Sequence, residues 1–360
     1  MGTYSKPYRK SGAESSGLIV KITYSKPSLD IRRESMLRHL EEEKSFRKQA
    51  ATYQKLKNAK KRKACIVCGN KLRGENFLHR TLPFIICARC KHVQLAVLPP
   101  KDYLSNYGFH QIYPKLSVKD YNDRKKRIYQ PKLEWILKTL KDLGQKSDAL
   151  KKKRWFEFGS GAGYFLSVLK DFGIKNFNGC DGDSKLAQIG NQVLRGGRIG
   201  VEERGISESI QDYPADIYSA FYVLEHVEDA HQFFLNLKKL PRGTIFIFAV
   251  PVFSFATVLD NAFHQNYARH LDGIVHTQLY SDESIRYAMK LAGYDIKGVW
   301  VFGQDVDDLI RYLRHRIAGA HSKQIEEEMV KAIYNIQDDL QHVLDKAMLS
   351  DQRHVLAIKR

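Results

Sequence analysis

The alternation of apolar and polar positions is most regular around residue 160. Residues 154–163 read RWFEFGSGAG, a short apolar run with one carboxylate inside it, followed by glycines at every second position. The run suits a buried strand, and glycine permits the positive φ of a tight turn. The next ten residues place apolar side chains at helical spacing and end in Gly173, a typical C-terminal cap. The pattern predicts a strand, a glycine loop and a helix.

Similar patterns continue to the C-terminus. Further strands, several of them with an adjacent helix, are expected within 176–183, 199–203, 215–240, 242–251, 281–305 and 353–360. Strands that alternate with helices indicate an α/β fold with a mainly parallel sheet.

Two features near the glycine loop carry chemistry. Gly159, Gly161 and Gly163 let a ligand lie against bare backbone, although any tight turn from strand to helix can use glycine. Asp181 ends the second strand, twenty residues beyond Gly161, where an acid can bind both hydroxyls of a ribose. The sequence therefore predicts a nucleoside-containing ligand.

The spacing G-x-G-x-G, with Glu157 two residues before it, resembles class I S-adenosylmethionine (SAM)-dependent methyltransferases. The tetrad VLEH at 223–226 and Pro251, which closes strand five, match the pattern of small-molecule members. The resemblance spans about 130–360 and implies a seven-stranded Rossmann-like sheet, parallel except for an antiparallel last strand. It also implies a SAM site formed by Glu157, Gly159, Gly161, Gly163, Asp181 and Tyr222.

Four of the five cysteines form a separate signal. Cys65, Cys68, Cys87 and Cys90 have the spacing C-x2-C-x18-C-x2-C, in which two tight knuckles can converge on one tetrahedral ion. Four thiolates close the coordination shell, so structural Zn²⁺ is the expected ligand, with a dithiol redox role as the alternative. Such pairs fit a reducing compartment better than a disulfide framework.

A tyrosine-rich stretch follows the cysteines. A zinc ribbon, a -PP-x-x-Y- stretch and a Tyr-rich connector before the methyltransferase domain resemble sugar C-methyltransferases and their saccharide-biosynthesis relatives. In that family the N-terminal module folds over the cofactor domain and helps to build the substrate pocket. The resemblance implies substrate contacts for Tyr107 and Tyr113. The alternative is that these tyrosines pack the junction between the domains.

His226 and His276 are the candidate catalytic residues. His226 follows strand four, at a position that faces the methyl donor in the resembling family, and an imidazole can act there as a general base. His276 matches the family's H-x-x-x-[FY]-[ST] pattern, which implies substrate contact or catalysis, whereas His264 and His270 have no such match. Ubiquinone-biosynthesis O-methyltransferases bind a divalent metal through E-x-x-E-H. Tyr222 stands where the first glutamate would be, which weighs against a catalytic metal.

Charge is concentrated at the N-terminus. The chain carries 59 Lys and Arg against 40 Asp and Glu, and residues 1–64 hold 17 basic and six acidic residues. A basic arm invites a nucleic-acid interpretation, although such arms are commonly solvated. Enzymes that methylate exocyclic base nitrogens usually carry an Asn/Asp-Pro-Pro-aromatic loop after strand four, which YVLE at 222–225 does not match. Cys180 is expected to be buried and is not placed as a nucleophile for methylation of a base carbon.

The favoured function is SAM-dependent C- or O-methylation of a small molecule, most simply a nucleotide-linked or polysaccharide-precursor sugar. Its phosphates would suit the net charge of +19. The first alternative is an RNA methyltransferase that uses the zinc ribbon and the basic arm. The second is a non-catalytic SAM-binding module. Both a monomer and a homodimer fit the sequence.

Three parts are expected. Residues 1–60 form a basic arm, irregular to about residue 28 and then helical, 61–128 form the zinc ribbon and connector, and 129–360 form the methyltransferase domain. A helical insertion at about 306–350 carries an apolar stripe, which predicts packing along a seam, either as a lid on its own domain or between protomers. The stripe comprises Met329, Ile333, Ile336, Leu340, Val343 and Ala347.

Membrane association is not expected from the sequence. No apolar run approaches the roughly 18 residues that span a bilayer, and the N-terminus lacks the apolar stretch of a secretory signal. The cytoplasm is the expected location.

Overall fold

The computed structural model describes residues 21–24, 56, 59–79, 82–99, 117–263, 270–271, 276–317, 319 and 321–360. The predicted substrate tyrosines Tyr107 and Tyr113, and also His264, lie outside these residues. So does most of the helix that was expected to end near residue 60.

Twelve strands are described, and eight of them form one mixed sheet in the order β1-β11-β12-β9-β8-β5-β6-β7. The strands are β1 Lys21–Tyr24, β2 Gly74–His79, β3 Leu82–Cys87, β4 Val93–Leu95, β5 Trp155–Phe158, β6 Phe177–Asp181, β7 Ile199–Val201, β8 Ile217–Phe221, β9 Ile245–Pro251, β10 Gln278–Leu279, β11 Tyr294–Phe302 and β12 Gln352–Lys359. In this sheet β12 is antiparallel to β11 and β9, and the other pairs are parallel. The seven-stranded arrangement with an antiparallel last strand is therefore present, with β1 added at its edge.

The added strand β1 corrects the prediction of an irregular arm up to about residue 28. It pairs in parallel with β11, with Ile22 opposite Val299. Ile22 packs against the buried side chains of Val299 and Val301. A strand of four residues is too short to produce a periodic signal, so the pairing depends on the exposed edge of β11 rather than on local pattern.

Helices cover both faces of the large sheet. Alternate residues of each strand enter two separate cores, for example Phe156 and Phe248 in one and Trp155 and Ile247 in the other. Burial on both faces explains the continuous apolar runs of the parallel strands. The helices are α1 Val118–Arg124, α2 Gln130–Asp142, α3 Ser147–Lys152, α4 Tyr164–Asp171, α5 Ser184–Leu194, α6 Ile206–Ser209, α7 Ala230–Leu237, α8 Phe255–Phe263, α9 Asp282–Ala292, α10 Asp305–Ile317, α11 Lys323–Tyr334 and α12 Gln337–Lys346.

The cysteine-bearing segment forms a second sheet of four strands in the order β10-β4-β3-β2. Three strands come from this segment, whereas β10 comes from the C-terminal half of the chain and pairs antiparallel with β4. The four cysteines lie in the same apolar core as Phe233 of α7 and Ile285 of α9. The small sheet is therefore joined to the methyltransferase-like part through both hydrogen bonds and packing.

The insertion between β11 and β12 consists of three helices, α10 to α12, and corrects the prediction that its apolar stripe packs as a lid. The stripe is divided between α11 and α12 rather than running along one helix. Met329, Ile336 and Val343 are 45%, 49% and 62% exposed, so they do not pack as a lid on their own domain. Val330 and Ile310 are instead buried together between the helices. A polar network at Asp305 anchors the base of the insertion.

Candidate active site

The loop after β5 has the conformation that its glycines predict. Gly159, Gly161 and Gly163 have φ values of 64°, 50° and 73°. A Cβ on Gly159 would lie 2.3 Å from Cγ2 of Val223, whereas one on Gly161 would meet no described atom within 4 Å. Gly161 therefore borders open space at the carboxyl end of the sheet, where a ligand can contact the bare backbone.

Asp181 lies beside this loop at the end of β6. Its Oδ2 accepts a hydrogen bond of 2.6 Å from the Gly161 amide, and its Oδ1 accepts one of 2.8 Å from the Asp183 amide. Burial raises the pKa of Asp181, while the two backbone N–H groups oppose that rise. Each carboxylate oxygen retains a lone pair, so the group can still accept hydrogen bonds from ribose hydroxyls.

Glu157 lies in β5 beneath the loop and is 3% exposed. Burial raises the pKa of Glu157 well above its ordinary value, and the nearby Lys132 charge opposes the rise. Lys132 was not singled out from the sequence. The signal available there was a lysine on the apolar face of α2, which also buries Ile136 and Leu140.

Tyr222 follows β8 and holds an unusual backbone conformation, with φ of 58°. A left-handed conformation is uncommon for a residue with a bulky side chain and tends to occur at functional sites. The Tyr222 amide donates to the Ala249 carbonyl at 2.9 Å, and its hydroxyl donates to Oε1 of Gln352. These bonds fix the side chain at the end of β8, adjacent to the glycine loop.

The structure brings both predicted catalytic histidines together. The rings of His226 and His276 have centroids 5.1 Å apart and lie nearly parallel. Glu225 joins them, because ligand atoms of Glu225, His226 and His276 all lie within 4.8 Å of one another. Such a set could share a proton or hold a divalent cation. The third member, His276, comes from a segment that sequence spacing alone could not place.

Glu225 is the buried member of this cluster, at 0% exposure. Burial raises the pKa of Glu225 to about 8. Neither of its carboxyl oxygens makes a hydrogen bond to another described residue. Burying a carboxyl group without a hydrogen-bond partner costs free energy, unless the group holds a proton or binds a ligand or an ion.

His270, which no sequence pattern supported, also lies at the cluster. Its ring centroid is 5.7 Å from that of His276, and its Nε2 is 3.3 Å from Oδ2 of Asp351. The three imidazoles of His226, His276 and His270 thus follow one another across the carboxyl end of the sheet. Their approach depends on long-range folding, which explains why local spacing identified only two of them.

The cysteine-bearing sheet holds the segments on which these histidines lie. The His231 amide donates to the Ile66 carbonyl at 2.7 Å, only five residues after His226. Gln278, two residues after His276, lies with its Oε1 2.8 Å from Nε2 of His92 and donates through Nε2 to the Val227 carbonyl at 3.1 Å. The small sheet therefore fixes both histidine segments relative to each other.

The cysteine cluster has the geometry of a four-thiolate metal site. The Sγ atoms of Cys65 and Cys90 are 3.6 Å apart, and those of Cys68 and Cys87 are 3.8 Å apart. All four Sγ atoms lie within 4.8 Å of one another, and all four residues are buried. Zinc–sulfur bonds of about 2.3 Å place tetrahedral sulfur atoms roughly 3.8 Å apart, so the donor set fits Zn²⁺.

A doubly covered sheet with an antiparallel last strand, a glycine loop after β5 and an acid ending β6 defines a Rossmann-like α/β architecture. Residues 126–297 match the family described as "Methyltransferase domain". This match spans 172 of the 360 residues and supports an enzyme of the methyltransferase class. No helix in the described part of the chain combines the length and apolar character needed to cross a membrane.

Solved structures of other methyltransferases are similar to the chain. Magnesium protoporphyrin IX methyltransferase from Synechocystis PCC 6803 is 15% identical, with 72% of this chain and 98% of that chain covered and a TM-score of 0.44. A SAM-dependent methyltransferase from Archaeoglobus fulgidus is 16% identical, with 70% and 100% covered and a TM-score of 0.42. Geranyl diphosphate C-methyltransferase from Streptomyces coelicolor A3(2) is 13% identical, with 69% and 87% covered and a TM-score of 0.39. No curated protein matches the sequence.

Proposed function

We propose that the enzyme methylates a small-molecule sugar, either nucleotide-linked or a polysaccharide precursor. The observation that carries this proposal is the convergence of Glu225, His226 and His276 at the end of the sheet that bears the donor loop. In the proposed reaction, these residues supply proton acceptors near the transferred methyl group. The cysteine-bearing module holds the segments that carry His226 and His276. The resemblance to sugar methyltransferases implies such a role for the N-terminal module.

SAM, when bound, supplies a methyl group on a positively charged sulfur, which is open to in-line displacement. Glu157, the glycine loop and Asp181 are the residues that would hold it. The protein's main tasks are to align the acceptor atom with the methyl carbon and to exclude water. We infer that His226 accepts the proton that a sugar hydroxyl or an acidified carbon loses as its new bond to the methyl carbon forms and the carbon–sulfur bond breaks.

Glu225 supports this role for His226. A carboxyl group within reach of two imidazoles stabilises a protonated histidine if it is ionised, or shares its proton with them if it is neutral. The imidazole of His276 stacks on that of His226 and borders the same space, so we assign it to acceptor binding.

We infer that Cys65, Cys68, Cys87 and Cys90 hold one structural Zn²⁺. Their burial in the core shared with Phe233 leaves no open coordination position, which a catalytic zinc would need. The ion would maintain the small sheet and, through it, the spacing of the His226 and His276 segments.

RNA methylation is the competing function, and the described residues give it less support. Cys180 is 1% exposed, and burial raises the pKa of its thiol to about 12, so it does not serve as a nucleophile toward a base. The net charge of +19 is the feature in its favour.

The test is to supply SAM labelled in its methyl group to pools of nucleotide sugars, sugar phosphates and RNA. Label in a sugar pool supports the proposal, and mass spectrometry of the product identifies the acceptor atom. Label in RNA alone would replace the proposal with the competing function. A Gly161→Val variant purified in the same way is the control for contaminating activities, because transfer that persists without donor binding would come from another enzyme.

A further inference from the structure

Lys132 is buried at the methyl-donor end of the site. It is 2% exposed, although lysine is rarely buried so completely. Its Nζ lies 4.6 Å, 4.7 Å and 4.9 Å from the ring centroids of Tyr129, Phe221 and Tyr222. Three aromatic faces thus surround the ammonium group and partly replace its lost hydration.

The electrostatic surroundings of Lys132 are acidic. Its charge lowers the pKa values of both Glu157 and Glu225, which burial otherwise raises. Both acids are buried, at 3% and 0% exposure. The charge of one lysine therefore acts on two buried carboxyl groups, one beneath the donor loop and the other in the histidine cluster.

The sheet order determines which part of the donor reaches Lys132. Asp181 ends β6, the glycine loop follows β5, and Tyr222 follows β8, and these three strands are adjacent in the order β6-β5-β8. Adjacent strands are about 4.8 Å apart, so the ribose acid and Tyr222 lie roughly 10 Å apart across the sheet. A donor with its ribose at Asp181 and its sulfur over the loop must extend its amino-acid end toward β8 and Lys132.

We propose that Lys132 binds the α-carboxylate of the methyl donor. The amino-acid end of SAM carries one carboxylate and one ammonium group. Lys132 offers the charge that complements the first, and the Glu157 carboxyl group offers hydrogen-bond acceptors for the second. Both groups are preformed in a buried setting, where charge-assisted hydrogen bonds are strongest. Lys132 thus acts as a binding residue for the donor, independently of the identity of the acceptor.

Two donor-site ligands test the proposal by calorimetry. S-adenosylhomocysteine retains the amino-acid end, whereas 5′-methylthioadenosine lacks it, and neither carries the sulfonium charge. Lys132→Met should weaken binding of S-adenosylhomocysteine by about 10- to 100-fold, the range of a charge-assisted hydrogen bond, and change binding of 5′-methylthioadenosine by less than about twofold. Lys138→Met is the matched control, since Lys138 is exposed on the same helix and should leave both affinities unchanged.

Each outcome supports or overturns the proposal. Equal losses for both ligands would mean that Lys132 only balances the buried acids, and no loss for either would also overturn it. Binding of 5′-methylthioadenosine shows that the variant is folded. If Lys132→Met does not fold, wild-type protein is titrated with SAM and with decarboxylated SAM, and equal affinities would overturn the proposal. The experiment contains no acceptor, so its failure differs from a failure to methylate sugars.

Discussion

The backbone amide of Gly161 donates a hydrogen bond of 2.6 Å to the carboxylate of Asp181. This bond joins the loop after one strand to the acid that ends the next, so the two halves of the predicted nucleoside site form one unit. A substitution of either residue should therefore lower the affinity for the methyl donor.

Donor binding should depend on open space at Gly161. Gly161→Val should abolish detectable binding of SAM by calorimetry, because its side chain would enter the space that the ligand occupies. Gly144→Val is the matched control, since Gly144 also has a positive φ and a Cβ there would meet no described atom within 4 Å. It adds the same backbone strain far from the loop and should leave the affinity intact.

Asp181→Ala should weaken SAM binding by roughly 1.5–3 kcal/mol, the contribution of a hydrogen bond to a charged group. Asp183→Ala provides the comparison, because Asp183 caps α5 through bonds to the Lys185 and Leu186 amides and should affect stability rather than affinity. If Asp181→Ala and Gly161→Val both bind SAM like the wild type, the donor site is elsewhere.

The cysteine cluster should contain one zinc atom per chain. Cys68→Ser should lower zinc content and melting temperature together, because metal binding and folding of the small sheet are coupled. Cys180→Ser is the control, since Cys180 is also buried but lies outside the cluster. The Cys180→Ser protein should contain as much zinc as the wild type. Elemental analysis that finds no zinc, or iron with visible absorbance, would contradict this assignment.

The same elemental analysis examines the histidine cluster. A single metal atom per chain leaves Glu225, His226 and His276 as proton-handling groups. A second atom that is lost in His276→Ala while the zinc remains would assign a cation to this cluster and would exclude His226 as the free base.

Stability should depend on pH through Asp305, at the base of the insertion. Burial and the neighbouring Asp351 raise the pKa of Asp305 from its ordinary value of 3.8 to about 7. Between these pH values the folded chain holds a proton that the unfolded chain has lost. The contribution of Asp305 to stability should therefore fall as pH rises from about 4 to 7 and change little further above 7.

Thermal melting across this range measures the effect. Asp305→Asn should flatten the decline, which we expect to amount to a few degrees in the wild type. Asp148→Asn, at an exposed position in α3, should leave the decline unchanged. An identical slope in Asp305→Asn would show that another group titrates.

Local sequence predicted the parts of this structure whose signals are local. The glycine loop and Asp181 were found because a tight turn requires glycines and the acid follows them at a fixed distance in the sequence. His270 and Lys132 were missed because their roles arise from contacts with His276 and with three aromatic rings across the fold. The apolar stripe of the insertion does not form the predicted lid, because periodicity indicates a face without indicating what covers it.

Strand pairing shows the same limit. The short strand β10 joins the cysteine-bearing sheet although Gln278 lies 183 positions after Leu95, the last residue of β4. Neither segment alone has a pattern that selects the other. The pairing is decided by the burial of Tyr280, His92 and the cysteines in one shared core, which is a property of the folded chain.

The final prediction concerns catalysis and separates the two histidines. His226 follows the strand that ends beside the donor loop, and Glu225 and His276 converge on it. If His226 is the base, His226→Ala should leave SAM affinity nearly intact and reduce kcat by the 10²- to 10⁴-fold typical of lost general acid–base catalysis. His276→Ala should instead raise KM for the acceptor, with a smaller effect on kcat. His231→Ala is the comparison for nonspecific damage, since that histidine lies near His226 in sequence but contacts the Val67 carbonyl in the turn between Cys65 and Cys68. Methyl-transfer kinetics on the three variants decide the assignment. Undiminished kcat in His226→Ala would reduce that residue to a packing role and move the base to His276, or to His270 with its partner Asp351.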